Sequence, residues 1–132
     1  MFKGTEFLQI GLKHSTLGTV TLYPKAGENG QLTPGGFQNE LDITGSGEPI
    51  VKKKRVPWVV ECPPIAWNKS GIDLIKTIQD LMDSFEEIDC TFELADGSIW
   101  TGKGSIIDEL KGATYDGTIP LKISGGGKLA KL

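Results

Sequence analysis

The sequence predicts a β-rich α+β domain, and three observations carry that expectation. Eighteen glycines among 132 residues fall as G-S-G, G-G, G-K-G and G-G-G between short apolar runs, the punctuation of a turn-rich β protein. Most of those runs alternate apolar and polar residues with period two, as a strand with one wet face must. One stretch, SGIDLIKTIQDLM at 70–82, instead carries an apolar stripe with helical spacing.

Residues 1–16 are expected to form an N-terminal arm, in which FLQIGL is apolar enough to seek a contact. In GTVTLY, residues 18–23, Val20 and Leu22 alternate with Thr21 and Tyr23, a strand that Pro24 stops. KAGENGQLTPGG, 25–36, has no periodicity and is expected to be a loop. Phe37, Leu41 and Ile43 then share one face of a strand, with Gln38, Glu40, Asp42 and Thr44 on the other, so this strand is expected half-buried with an acidic outer side. A polar connection, GSGEPIVKKKR at 45–55, holds four consecutive bases, Lys52, Lys53, Lys54 and Arg55. It leads into VPWVVEC, where Val56, Trp58, Val60 and Cys62 share a face and Pro57 marks an edge or a bulge.

In the helix, Ser70 and Asp73 match the S-x-x-[DE] capping pattern, while Ile72, Leu74, Ile75, Ile78, Leu81 and Met82 lie in the stripe. Cys90, Phe92 and Leu94 alternate with Thr91, Glu93 and Ala95 up to Asp96-Gly97, which fits a two-residue hairpin turn. That register sets Leu94 opposite Ile99, Phe92 opposite Thr101 and Glu93 opposite Trp100. TIPLKIS closes the sheet with Ile119, Leu121 and Ile123 inward, and GGGKLAKL, 125–132, is expected to be flexible or docked on a neighbour.

Composition narrows the function. With 38% apolar and 23% charged residues the chain is neither disordered nor membrane-embedded. No apolar run reaches the length of a bilayer span and the first residues lack a signal-peptide pattern, so a cytoplasmic chain is expected. A net charge of −3 argues against a protein that grips DNA. With one histidine and no C-x-x-C, Cys62 and Cys90 are expected to be small core residues and not zinc ligands.

Gly97, four residues, Gly102 and Lys103 spell the first part of a phosphate-binding loop. Yet Ile99, Trp100 and Thr101 favour a strand, and Gly104 stands where a magnesium-binding hydroxyl belongs. His14 has no nucleophile or carboxylate motif around it and is expected at the surface. Glu86, Glu87 and Asp89 are expected on a solvated face. No catalytic constellation, cofactor or metal site is expected. The alternative to a self-associating module is a small β-rich domain that binds nucleic acid or a nucleotide.

The order GTVTLYP, FQNELDITGSGEPI, a basic connection, VPWVVEC, one helix, FELADGSIWTGKGSI and GTIPLKISGGGKL resembles the phage tail tube proteins, those of contractile tails in particular. The resemblance covers roughly residues 15–128. It implies a single domain, a small antiparallel β-sandwich or half-barrel flanked by one helix at about residues 70–82. On hexamerisation such domains close into a continuous β-barrel, and the rings stack into a tube that delivers DNA to the host. It also implies a virion protein assembled in the bacterial cytoplasm, with the sheath, tape measure, baseplate and tail terminator proteins as partners. Genome DNA would pass without tight binding, so Glu40, Asp42 and Glu93 are the candidates for lining the channel. The connection at 45–55, with Lys52, Lys53, Lys54 and Arg55, is the candidate contact with the next ring.

Overall fold

A computed structural model describes residues 3–66 and 71–132. Its elements run β1 (Phe7–His14), β2 (Gly18–Leu22), β3 (Gln31–Thr33), β4 (Gly36–Ile43), β5 (Pro49–Val56), β6 (Trp58–Glu61) and β7 (Ile65–Ala66). After these come α1 (Gly71–Asp83), β8 (Ile88–Leu94), β9 (Ile99–Ile107), β10 (Thr118–Ile119), β11 (Lys122–Gly125) and β12 (Ala130–Lys131). The architecture is β-rich and antiparallel with one helix among the described residues, consistent with a small β-sandwich. Ser70, the expected helix cap, lies outside the described residues.

The main sheet is ordered β2-β1-β8-β9-β11-β6-β3, with every neighbouring pair antiparallel and β12 added beside β9. Strand β9 serves two partners in succession. Residues 99–104 pair with β8, and residues 105–107 pair with β11. The sheet thereby turns over an enclosed core instead of spreading flat. Period-two side chains from both halves fill it: Ile10, Leu12, Leu22, Trp58, Val60, Ile88, Cys90, Phe92, Ile106 and Ile123 are all buried. Leu74, Ile78 and Leu81 of α1 enter the same cluster, as their helical spacing requires. Ile119 and Leu121 are buried too, while Pro120 splits the expected closing strand into β10 and β11.

Four departures from the sequence expectations have identifiable causes. The expected arm is a central strand: β1 lies between β2 and β8 and buries Phe7, Ile10 and Leu12. A bulge between Phe7 and Gln9 and a glycine at position 11 blur its alternation. The 94–98 turn holds three residues, not two. Leu94 N–H donates to Ser98 O (3.0 Å), Gly97 N–H donates to Leu94 O (3.0 Å), and Gly97 takes a φ of +91°. That extra residue shifts the register by one, setting Phe92 opposite Trp100 and Glu93 opposite Ile99. A one-residue slip flips a strand, so Trp100 faces inward with Phe92.

The expected loop at 25–36 contains β3, a three-residue edge strand paired with β6. Lastly, the C-terminal GGGKLAKL docks on its own chain. Leu129 is buried, its N–H donates to Pro34 O (2.9 Å), and β12 pairs with β9.

The glycines of TGKGS and SGGG have a packing role. Trp58 is fully buried, edge-on to Phe92 with ring centroids 5.9 Å apart. Its indole lies in a slot floored by Gly102, Gly104 and Gly125, where a Cβ would come within 3.1, 2.8 and 2.7 Å of ring atoms. At Gly104 a Cβ would also sit 2.3 Å from Ser124 O, because β9 and β11 approach closely where β9 changes partner. The Trp58 Nε1–H is buried and meets no acceptor among the described residues. The phosphate-loop spelling therefore belongs to a strand and a tryptophan slot, with Lys103 exposed on the far face, 4.0 Å from Asp89.

Candidate assembly surfaces

Strands β4 and β5 form a hairpin of eight paired rows, from Gly36↔Val56 to Ile43↔Pro49, that pairs with no other strand among the described residues. Its tip repeats the 94–98 turn. Thr44 N–H donates to Glu48 O (2.8 Å), Gly47 N–H donates to Thr44 O (2.9 Å), and Gly47 has a φ of +89°. The connection at 45–55 is thus a short turn followed by β5, and Lys52, Lys53, Lys54 and Arg55 stand on a strand. The strand at 37–44, expected half-buried, is exposed on both faces within the chain. Its alternation is real, but the apolar face has no cover here.

Strand parity sorts the hairpin's side chains. One face carries Phe37, Asn39, Leu41 and Ile43 with Pro49, Val51, Lys53 and Arg55. Phe37, Leu41 and Ile43 are 53%, 65% and 68% exposed, and the Lys53 ammonium lies 5.8 Å from the Phe37 ring centre. The opposite face carries Gln38, Glu40 and Asp42 with Ile50, Lys52 and Lys54. There Asp42 pairs with Lys52 at 2.5 Å, so one of the four bases is already partnered within the hairpin. Both groups are exposed, and the pair contributes little to stability.

Glu93 lies elsewhere. It sits on the solvent face of β8, where its carboxylate accepts from Gln9 Nε2 at 2.7 Å. The same face carries Asp89 between Lys13 and Lys103, and a row of Thr21, Gly11, Thr91 and Thr101. The structure therefore splits the three acids: Glu93 on the sheet, and Glu40 with Asp42 on the hairpin.

Among the described residues no strand pairs with the outer side of β2, although just beyond it residues 23–25 pair with residues 64–66, Ala66 N–H donating to Tyr23 O and Lys25 N–H to Pro64 O. GTVTL has neither the proline, the lysine nor the bulge with which edge strands usually block further pairing. The hairpin and this edge are two surfaces left without a partner strand among the described residues.

His14 is buried at 3% exposure, against the surface position expected of it. Nδ1 accepts the N–H groups of Thr16 and Leu17, both at 3.1 Å, so it carries no proton. The ring proton is then on Nε2, facing Ser84 Oγ at 2.8 Å. Glu86 accepts from Ser15 Oγ and lies 3.7 Å from His14 Nε2. This cluster ties the β1–β2 turn to the segment after α1. Tertiary contact alone buries the ring, and no local motif announces it.

Burial pushes the thiols of Cys62 and Cys90 up to about 12, suiting packing rather than nucleophilic chemistry. Among the described residues no group of His, Cys, Asp and Glu is placed to hold a metal ion. No helix of these residues is long and apolar enough to cross a membrane. In comparison with known proteins, no protein-family model and no curated protein matches this chain.

Proposed function

We propose that this chain is a structural subunit of a phage tail tube of the contractile type, forming hexameric rings that stack into a channel for DNA delivery. The observation that carries the reading is the β4–β5 hairpin, whose apolar face has no partner among the described residues. A two-stranded ribbon is at best marginally stable in water by itself. A row of Phe37, Leu41, Ile43 and Val51 in the open is an interaction surface waiting for its cover.

Charge favours an open-ended assembly. The apolar face carries Lys53 and Arg55 and no acid, so two such faces packed together would leave their bases unneutralised. A contact between unlike surfaces avoids this, and unlike-surface contacts generate rings or filaments. Of the four bases, Lys53 and Arg55 would meet acids of the next ring through this face, while Lys52 and Lys54 stand on the opposite one, Lys52 paired with Asp42. The outer side of β2, without a partner among the described residues, would pair across subunits, and six sheets would so close into one barrel.

In that barrel the solvent face of β8 and β9 is the candidate lining, with Glu93 and Asp89 offsetting Lys13 and Lys103. A face so balanced passes DNA without holding it. Glu40 and Asp42 would line the channel only where the hairpin's polar face turns toward it. Sheath, tape measure, baseplate and terminator proteins would be the partners in a virion tail. The role is structural and involves no catalysis. Negative-stain microscopy of the purified protein is the test: long hollow rods are expected, and a discrete monomer at every concentration and salt would overturn the reading. A reconstruction with Glu93 outside the tube would overturn the lining assignment.

A further inference from the structure

We infer that the C-terminal residues 126–132 are a strap that fixes the angle at which the β4–β5 hairpin leaves the body. The hairpin continues the β3–β6 ladder, but both of its legs are interrupted where it departs. One leg passes through Pro34-Gly35-Gly36, with φ of +78° and +97° at the two glycines, and the other passes through Pro57. Prolines remove ladder donors and positive-φ glycines turn the chain, so the ladder itself does not hold the bend.

The strap supplies what the ladder lacks. Leu129 N–H donates to Pro34 O at 2.9 Å, and Lys128 forms a bridge with Gly35. At Gly35 the strap packs so tightly that a Cβ would lie 2.6 Å from Gly127 O. The methylenes of Lys128 cover Gly36, the first residue of the hairpin. Leu129 anchors this arrangement, buried beside Gly102 at the rim of the Trp58 slot. Beyond it β12 pairs with β9, and Leu132 N–H donates to Ile99 O at 2.8 Å. Each contact at the bend is matched by an anchor on the main sheet. The strap thus couples hairpin direction to the body at the hairpin's base, where Gly127 and Lys128 line a cleft with Gly36, Phe37, Arg55 and Val56.

The test reads direction and does not depend on tube formation. Nitroxides are placed at Ser46→Cys, on the hairpin tip, and at Glu87→Cys, on the body, with Cys62→Ala and Cys90→Ala present throughout. Electron–electron double resonance is recorded on dilute, unassembled full-length chain and on a chain lacking residues 128–132. One narrow distance is expected for the full chain, and a distribution about two-fold wider for the shortened one, with an unchanged far-ultraviolet spectrum. Equal widths would overturn the inference. If the shortened chain loses its folded spectrum, Leu129→Ala in the full chain replaces it. A smaller broadening is then expected, and an unchanged width again overturns the strap. The absence of rods from wild-type protein would remove the tube reading and leave this result standing.

Discussion

Replacing Gly104 with alanine tests the tryptophan slot and the crossing of β9 and β11 together. The new Cβ would sit 2.3 Å from Ser124 O and 2.8 Å from both Ser124 C and a Trp58 ring carbon, where ordinary contact begins near 3.4 Å. The Ser124 carbonyl must therefore retreat by about 1 Å, and it belongs to the backbone of a strand that also pairs with β6. No rotamer change relieves this. Overpacking of this kind costs about 1–3 kcal/mol, and a weakened ladder hydrogen bond adds about 1 kcal/mol. Alanine restricts the unfolded chain and returns about 0.4–1 kcal/mol. The expected net loss is about 2–3 kcal/mol, equivalent to a fall in melting temperature of about 10 °C for a chain of this size.

Gly11→Ala is the control. It is also a strand glycine, but its Cβ would meet only Thr91 Cβ at 3.8 Å, so a neutral or slightly stabilising effect is expected. Gly102→Ala should fall between the two, because its closest neighbour at 2.8 Å is the tip of the Leu129 side chain, which can yield. Urea unfolding followed by tryptophan fluorescence on dilute protein gives all three values. If Gly104→Ala proved as stable as Gly11→Ala, the close approach of β9 and β11 would not exist in solution.

His14→Ala removes the acceptor of two backbone amides and should cost about 1–3 kcal/mol in the same urea assay. Reversing Lys52, Lys53, Lys54 and Arg55 to glutamate should abolish rods in the microscope yet leave the unfolding midpoint of the monomer nearly unchanged; rods that persisted would refute the inter-ring role. The Ser98 hydroxyl and amide hold the exposed Asp96 carboxyl below its ordinary 3.8. Its small contribution is therefore present above that value and lost as pH falls through the lower folded one, and Asp96→Asn should remove this acid-side slope from a pH series of melts. The thiols behave with the opposite sense. Folding raises Cys62 and Cys90 from 9.0 to about 12, so their contribution is complete below pH 9 and declines from there toward 12. Cys90→Ala should flatten that alkaline decline.

The parts of the fold legible in the sequence are those where periodicity and burial agree. The stripe of Leu74, Ile78 and Leu81 and the alternation of Cys90 and Phe92 read directly, since each faces the core. The register at 94–99 did not, because Ala95-Asp96-Gly97 suits a two-residue and a three-residue turn equally well: both use a left-handed Gly97, and only the φ of Asp96, which is not positive, separates them. QLT at 31–33 is too short and too polar to stand out from the Gly- and Pro-rich residues around it. In the hairpin, alternation revealed an apolar face, but periodicity cannot say whether the chain itself covers that face. The slot beneath Trp58 was illegible for another reason: its glycines lie in β9 and β11, and only the folded sheet brings them against a ring on β6.

The elbow at Gly35-Gly36 governs aim. At about 3.3 Å per residue, eight rows make a lever roughly 26 Å long, about twice the radius of gyration of a domain this size. Rotation by about 10° at its base carries the tip roughly 5 Å sideways, close to the spacing between neighbouring strands. A subunit that had to find the same seat on every neighbour could not tolerate that error. Accuracy at the far end of the molecule is therefore decided within three residues at the near end, and by the carboxyl-terminal residues that press on them.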